Sequence, residues 1–305
     1  MLLYKDSWVW DSWSVEVNGH HHLFFLYAST ALHDPDRRHR RASIGHAVSD
    51  DWSHWERLPD VVVRGDHGTI DAVATWTGST VQGDDGAWWL FYTAVNDTPC
   101  PSTQRIAAAR SEDLLTWNKV PDVLIEADPR WYETPVELPA DPAWRDPWVY
   151  KADDGRWHML ITAHAPHRSF SGQDNGIVGH AVSDDLRNWE VLAPLTEPGQ
   201  GFVHLEVTQM VQVAGKWWLV FSCPPSHLRG HRTDINSGMW MAPAETSVGP
   251  IDLSAAWPIT TQGLYAGHVY VDDKGEPFLL AFRNQEDGTF IGGVSDAVPI
   301  EVPTA

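Results

Sequence analysis

Short apolar runs alternate with polar turns along the chain, which is the pattern of β-strands joined by tight connections. The first turn, Asn18-Gly19, lies between the apolar runs 13–17 and 23–27, and Asn-Gly in such a place predicts a two-residue hairpin. Later apolar runs follow comparable turns, which contain Gly86, Gly155, Gly215 and Gly275. The pattern therefore predicts five hairpins in succession.

A second motif follows the hairpins. It consists of a small-residue strand, a Ser-(Asp/Glu)-Asp turn and a Trp that opens the next strand, and it occupies residues 44–55, 106–117 and 178–189. Weaker copies begin at Met239 and Ile291. A hairpin with a third and a fourth strand makes one four-stranded antiparallel sheet, so the sequence predicts five such sheets.

Repeated four-stranded sheets predict an all-β fold, a single five-bladed β-propeller, because radial repetition protects most strand edges. The blades are expected at roughly 7–62, 70–125, 140–195, 202–259 and 264–300, which leaves no room for a second domain. A β-sandwich would not repeat its hairpin and turn in register, and the coils of a β-solenoid are much shorter than this repeat.

Charge and composition limit the classes of molecule that this protein is expected to bind. The formal net charge of −20 argues against nucleic acid or an anionic membrane surface as partner, whereas a small neutral carbohydrate is compatible with it. No apolar stretch is long enough to cross a bilayer, and the first residues lack the plan of a signal peptide. Cys100 and Cys223 fall in different repeats and are expected to be free thiols, so we expect a cytoplasmic location. The oligomeric state stays open.

Carboxylates lie at matching places in three of the five repeats. Counting back by the same interval from each second strand gives Asp11, Thr77, Asp146, Glu206 and the neighbourhood of Gly267. The first strand of a propeller blade lines the central channel, so these positions are expected to form one ring. A single Asp at a strand start is usually a turn or cap residue. Three acids in register within apolar strands instead predict an active site, because burying an unpaired charge is costly.

Glycoside hydrolases usually use two catalytic carboxyl groups, one as acid/base and the other as nucleophile or base. A third can hydrogen-bond sugar hydroxyls and stabilise positive charge in the transition state. Glu206 lies in an apolar strand, so we expect its pKa to be raised, as a general acid requires. The candidate sugar contacts beside the ring are Trp10, Trp13, Trp76, His204 and His268.

Four short motifs carry a family resemblance, in the same order and on matching blades. They are residues 9–13 (Val-Trp-Asp-Ser-Trp), 76–79 (Trp-Thr-Gly-Ser), 144–147 (Trp-Arg-Asp-Pro) and 205–207 (Leu-Glu-Val). In that order they resemble the nucleophile motif of levansucrase-type fructosyltransferases, then the Trp/Phe-Ser-Gly-Ser motif, the Arg-Asp-Pro motif and the acid/base segment of invertases, fructanases and levansucrases. The chain therefore resembles the β-fructofuranosidase/levansucrase clan over essentially its whole length.

The resemblance implies a retaining double-displacement mechanism on terminal β-fructofuranosyl linkages of sucrose, fructo-oligosaccharides or fructans. By this resemblance, Asp11 is the nucleophile and Glu206 the acid/base. Asp146 would stabilise the transition state by holding fructosyl hydroxyls, with Arg145 beside it. The subsite for the fructosyl unit would be lined by Trp10, Trp76 and Ser79.

The sequence also departs from the clan. The invertase pattern Asn-Asp-Pro-Asn-Gly, the Cys that usually follows the acid/base Glu and the C-terminal β-sandwich are absent. Little chain is left to bind a growing polymer, which favours hydrolysis over polymer synthesis. Two alternatives stay open: an inverting arabinofuranosidase or xylosidase type of propeller, and a non-catalytic carbohydrate-binding propeller. No metal-ligand constellation stands out, so no cofactor is assigned.

Overall fold

Five four-stranded antiparallel sheets follow one another along the chain in the computed structural model. Their first strands form a closed ring, in which each one contacts the first strands of the two neighbouring sheets. The protein is therefore a five-bladed β-propeller, and the predicted all-β fold is confirmed. The structure describes residues 1–99, 102–135, 143–167, 169–260, 263–286 and 288–302.

Each blade begins with its innermost strand, and the following strands add outward in chain order; in the fifth blade the last two strands both pair with the second. The strands are β1 (Ser7–Val17), β2 (His20–Ser29), β3 (Ser43–Ser49), β4 (Glu56–Val62), β5 (Ala74–Gln82), β6 (Trp88–Asn96), β7 (Thr103–Ser111), β8 (Asn118–Ile125), β9 (Trp144–Lys151), β10 (Trp157–His164), β11 (Gly176–Ser183), β12 (Glu190–Leu192), β13 (Glu206–Val213), β14 (Lys216–Ser222), β15 (Met239–Ala244), β16 (Trp257–Pro258), β17 (Leu264–Val271), β18 (Pro277–Glu286), β19 (Thr289–Val294) and β20 (Val298–Pro299). The helical segments of the described chain are 3-10 turns at Thr30–Leu32, Pro35–Arg40, Pro225–His227, Gly230–Arg232 and Leu253–Ala255.

The predicted hairpins join the first and second strands of the blades. In the first of them, Val17 pairs with His20, and both turn residues have positive φ, 53° at Asn18 and 81° at Gly19. This is the type I′ geometry, whose twist matches that of the flanking strands and which Asn-Gly favours. The local sequence thus accounts for the turn.

Every innermost strand is interrupted at the same level by a β-bulge. The residues left out of the strand pairing on the inner strand are Asp11 in β1, Thr77 in β5, Asp146 and Pro147 in β9, Val207 and Thr208 in β13, and Ala266 and Gly267 in β17. Three of these residues have positive φ although they carry a side chain, 57° at Asp146, 49° at Val207 and 48° at Ala266. A bulge re-aims the side chain next to it, so these bulges determine where the ring residues point.

The hydrophobic core lies between neighbouring blades. The second strands are buried almost throughout, and the largest side chains with almost no exposure include Trp13, Trp144 and Trp240.

Cys223 is a buried free thiol, and Cys100 lies outside the described residues. Within the described ranges, no helix has the length and apolar character needed to cross a membrane.

The Ser-(Asp/Glu)-Asp motif forms a turn between the third and fourth strands of blades 1 to 3. Its second acid is Asp51, Asp113 or Asp185, and in each case the preceding Ser hydroxyl donates to the carboxylate at 3.1 Å. Each carboxylate also accepts two backbone N–H groups from the residues two and three positions later, at 2.7–2.9 Å. We call these three residues the turn acids; they cap their own turns and have a structural function.

Candidate active site

A cavity of about 540 Å³ opens where the bulges of the innermost strands meet. It contains three carboxylates, from Asp11 of blade 1, Asp146 of blade 3 and Glu206 of blade 4. We call these three residues the ring acids. The remaining lining residues are Trp10, Leu26, Arg38, His39, Trp76, Thr77, Ser102, Gln104, Arg145, Val207, Pro224, His227, Tyr265, Phe282 and Asn284.

Asp11 points into the cavity from the bulge of β1, and the hydroxyl of Thr77 donates a hydrogen bond to its Oδ2. Burial raises the pKa of Asp11 to about 6. The Thr77 hydrogen bond opposes this rise by stabilising the ionised carboxylate, and the charge of Glu206 adds to it. Thr77 occupies the same ring position in blade 2, so two neighbouring bulges supply both partners of this hydrogen bond.

Asp146 is buried in the bulge of β9. Its Oδ2 accepts hydrogen bonds from the Thr162 hydroxyl at 3.0 Å and from the Val207 N–H at 3.3 Å. Burial raises the pKa of Asp146 to about 7, against the opposing effect of Arg145 and with added repulsion from the other ring acids. A carboxyl group with such a pKa changes its protonation state near neutral pH.

Glu206 is held by two neighbours. The Arg145 guanidinium donates to its Oε1 through Nη2 at 2.7 Å and through Nε at 3.2 Å, and the Tyr265 hydroxyl donates to its Oε2. Burial acts to raise the pKa of Glu206, but Arg145, His204 and the hydrogen bonds outweigh it and lower this pKa to about 2. The expectation that Glu206 has a raised pKa is therefore wrong, because an apolar strand sequence does not reveal the guanidinium beside the carboxylate.

The structure brings three of the predicted substrate contacts to the cavity wall, namely Trp10, Trp76 and Arg145. His204 lies one layer behind the wall, with its Nδ1 3.4 Å from Arg145 Nη2. It contacts a residue that lines the cavity and is itself 5% exposed.

Trp13, Ser79 and His268 lie away from the cavity and are each 1% exposed, so the expectation that they contact a sugar is not met. Trp13 Nε1 donates to Thr80 Oγ1, Ser79 Oγ accepts the Val149 N–H, and His268 Nδ1 contacts the Ser12 carbonyl. All three follow the bulge along their strands. Beyond the bulge these side chains pack between blades instead of pointing into the channel.

Sequence reasoning missed several residues of the site. Tyr265 lies in blade 5 immediately before the bulge. Counting back from the second strand gave the neighbourhood of Gly267 and did not single out Tyr265. Arg38 comes from the 3-10 segment Pro35–Arg40; its guanidinium lies 4.7 Å from the Phe290 ring centroid and 5.5 Å from that of Trp10. No periodicity marks a loop residue of this kind.

Among the described residues, no group of three or more His, Cys, Asp or Glu side chains is arranged to hold a metal ion.

Comparison with known protein families gives a match over most of the chain. The model of the glycosyl hydrolases family 32 N-terminal domain matches residues 12–290. The chain belongs to glycosyl hydrolase family 32. Family 32 membership and the observed propeller agree with the resemblance drawn from the four short motifs.

Curated relatives of this family 32 chain include three sugar-active proteins. Acid beta-fructofuranosidase 4 of Arabidopsis thaliana is 31% identical over 47% of this chain and 20% of that protein. Sucrose-6-phosphate hydrolase of Zymomonas mobilis is 28% identical over 56% and 30%, and the extracellular exo-inulinase of Aspergillus awamori is 26% identical over 58% and 34%. The aligned part of the chain thus spans about a fifth to a third of the length of these relatives.

Solved structures similar to this family 32 chain share its fold. Inulosucrase from Halalkalicoccus jeotgali bound to kestose superposes with a TM-score of 0.77 at 23% identity, covering 96% of this chain and 79% of that one. Levansucrase from Gluconacetobacter diazotrophicus gives a TM-score of 0.74 at 18% identity, covering 99% and 80%.

Proposed function

We propose that the protein is a glycoside hydrolase that cleaves terminal β-fructofuranosyl linkages of sucrose or fructans and retains the configuration of the anomeric carbon. The observation that carries the proposal is the convergence of Asp11, Asp146 and Glu206 in one cavity of a family 32 propeller. The names of the curated relatives, a β-fructofuranosidase and an exo-inulinase among them, support this substrate class. The cavity volume lies within the range of small-ligand sites.

In the first step, the Asp11 carboxylate attacks the anomeric carbon while the bond to the leaving oxygen breaks. Glu206 donates a proton to that oxygen, so the leaving sugar departs as an alcohol and the fructosyl unit stays on Asp11 as an ester. In the second step, Glu206 takes a proton from water, and the resulting hydroxide displaces Asp11. Asp146 holds hydroxyls of the fructosyl unit and stabilises its positive charge in both transition states.

Glu206 must be protonated for the first step, but Arg145 lowers its pKa and favours its ionised form. Arg145 Nε also lies 3.8 Å from Asp146 Oδ2. We propose that, with a sugar in the cavity, a proton passes from Asp146 to Glu206, so the total charge of the site is conserved. Arg145 lies between the two carboxylates and stabilises whichever of them is ionised.

A cytoplasmic location and a neutral sugar as partner remain part of the proposal. They are supported by the buried Cys223 thiol and by the charge of −20.

The test is fructose release from sucrose, inulin and levan by the wild type and by the Asp11→Asn and Glu206→Gln variants. Asp185→Ala, which removes a turn acid, is the matched control. We expect release by the wild type and the control, and a loss of about 10³-fold or more in both ring variants. The first-formed sugar, followed by NMR, should have the anomeric configuration of the substrate.

Release with the opposite configuration would overturn the retaining mechanism. Activity on aryl arabinofuranosides or xylosides, with none on the three fructosides, would move the protein to the inverting hydrolases. A wild type that binds sugars but cleaves none would be a carbohydrate-binding propeller.

A further inference from the structure

A chain of three buried side chains begins next to the cavity wall and runs into blade 3. His204 Nδ1 lies 3.4 Å from Arg145 Nη2 and 2.9 Å from His164 Nε2, and the two imidazole rings stack with centroids 4.8 Å apart. His164 Nδ1 in turn lies 3.3 Å from Glu133 Oε2. Glu133, His164 and His204 are 2%, 5% and 5% exposed. The cavity lining formed by the described residues includes Arg145 and none of these three.

Hydrogen-bond chemistry makes the chain directional. Arg145 can only donate, so its contact with His204 requires Nδ1 of His204 to accept. The same nitrogen is within hydrogen-bond distance of His164 Nε2, which must then carry the proton. Burial, followed by the charge of Arg145, lowers the pKa of His204 to about 3, so its ring is neutral and Nδ1 can be an acceptor. Glu133 Oε2 lies 3.3 Å from Nδ1 on the far side of His164, so the Glu133 carboxyl group limits the movement of that ring.

Arg145 is the residue whose position matters most for the site. It contacts Glu206 at 2.7 Å, Asp146 at 3.8 Å and the Gln104 side-chain oxygen at 3.2 Å. A movement of its guanidinium by about 1 Å would change which ring acid it stabilises. Its side chain is long and flexible, and it therefore needs fixed acceptors on the side away from the acids.

We propose that Glu133, His164 and His204 are positioning residues, which hold Arg145 between Glu206 and Asp146 and thereby control turnover without touching the sugar. The proposal rests on the proposed fructoside hydrolysis for its effect on rate. It rests on the geometry alone for its effect on Arg145.

The fold contains a chemically matched chain at the other end of the same strand. His158 of β10 contacts His180 Nε2 at 2.9 Å through Nδ1 and Asp154 Oδ2 at 3.1 Å through Nε2. This chain has the same carboxylate–imidazole–imidazole order, but the cavity lining formed by the described residues contains none of its three members. Variants of His158 therefore control for the general effect of breaking a buried histidine pair in this strand.

The experiment compares His164→Gln and Glu133→Gln with His158→Gln. In His164→Gln and Glu133→Gln, kcat should fall about 10- to 100-fold, as expected when a catalytic group is misplaced by about 1 Å. It is measured on the substrate that the wild type cleaves best. KM should change less than kcat, because the other cavity-lining residues, Trp10 and Trp76 among them, are unaltered. His158→Gln should lower thermal stability but leave kcat unchanged. A crystal structure of His164→Gln should show Arg145 displaced from Glu206 Oε1.

An unchanged kcat in both His164→Gln and Glu133→Gln would overturn the proposal. An equal loss of kcat in His158→Gln would also overturn it. An Arg145 guanidinium that stays in place in the His164→Gln structure would overturn it whatever the activity. If the wild type cleaves no fructoside, the proposed function fails. The position of Arg145 in the His164→Gln crystal structure then still shows whether Glu133, His164 and His204 hold this residue in place. Glu133→Gln preserves side-chain shape and serves if His164→Gln does not fold.

Discussion

The turn acids and the ring acids both recur from blade to blade, but they differ in surroundings. Asp51, Asp113 and Asp185 are exposed and accept hydrogen bonds from their own turns. Asp11 and Asp146, in contrast, are surrounded by other blades, and each faces at least one further acid. Repetition in register therefore does not by itself identify a functional residue. The difference lies in whether the carboxylate is stabilised by its own turn or depends on neighbours across the channel.

Asp185 of the turn acids and Asp146 of the ring acids respond to pH with opposite signs. Backbone hydrogen bonds lower the pKa of Asp185 to about 2, so its ionisation stabilises the fold and that stabilisation is lost as pH falls through the acid range. Burial raises the pKa of Asp146 to about 7, so the fold favours its protonated form. Ionisation of Asp146 therefore costs stability, and the cost develops as pH rises from about 4 to about 7.

The largest expected effect is that of Asp146→Asn. Turnover should fall about 10³-fold, because the charge that stabilises the transition state is removed. The melting temperature should rise relative to the wild type, and the gain should grow from about pH 4 to about pH 7, since Asn cannot ionise. Calorimetry across this range, with kcat on the same samples, measures both. A gain that is equal at the two ends of the range would show that the pKa of Asp146 is not raised.

A smaller effect is expected for Thr77→Val, which removes the hydrogen bond that stabilises ionised Asp11. The pKa of Asp11 should rise further above about 6, so the acid limb of the kcat/KM profile should move to higher pH. Below about pH 6, activity should fall about 10-fold for each whole pH unit by which that limb moves. Thr80→Val, in the same strand but bonded to Trp13, is the control and should leave the profile unchanged. Identical profiles for both variants would contradict the role of Thr77.

The smallest effect is expected for Asp185→Ala. Loss of the turn cap should lower the melting temperature by about 2–4 °C at neutral pH, with kcat unchanged. The difference from the wild type should shrink as pH falls from about 4 to about 2, where the native carboxylate is protonated. A loss of turnover in this variant, at full folding, would remove the distinction between the two sets of acids.

Much of the fold followed from local patterns that the sequence states directly. Asn18-Gly19 determines a turn, and the regular interval between strands brings Asp11 and Asp146 into equivalent bulges and Glu206 to the residue just before one, so the predicted register of the three acids is off by one residue in blade 4. The site was predictable only as far as that interval holds. The low pKa of Glu206 depends on Arg145 reaching across from blade 3, and Arg38 enters from a loop. Neither long-range contact has a sequence period.

Trp13, Ser79 and His268 illustrate a second limit. They are close in sequence to ring positions, and proximity in sequence suggested proximity to the sugar. The bulges separate the two properties, because one inserted residue reverses the face to which the following side chains point. A bulge without a glycine signature, such as that at Val207, is not visible in the sequence pattern.

The five bulges also have a consequence for how the chemistry of such a channel can be altered. Blades 2 and 5 carry the same backbone distortion as the acidic blades, but their extra residues are Thr77 and Ala266-Gly267. The architecture thus provides five equivalent anchor points, and acids occupy the bulge itself in blades 1 and 3 and the residue before it in blade 4. A designer who wishes to install another nucleophile, base or ligand needs no new loop, only a side chain at an anchor that the backbone already forms.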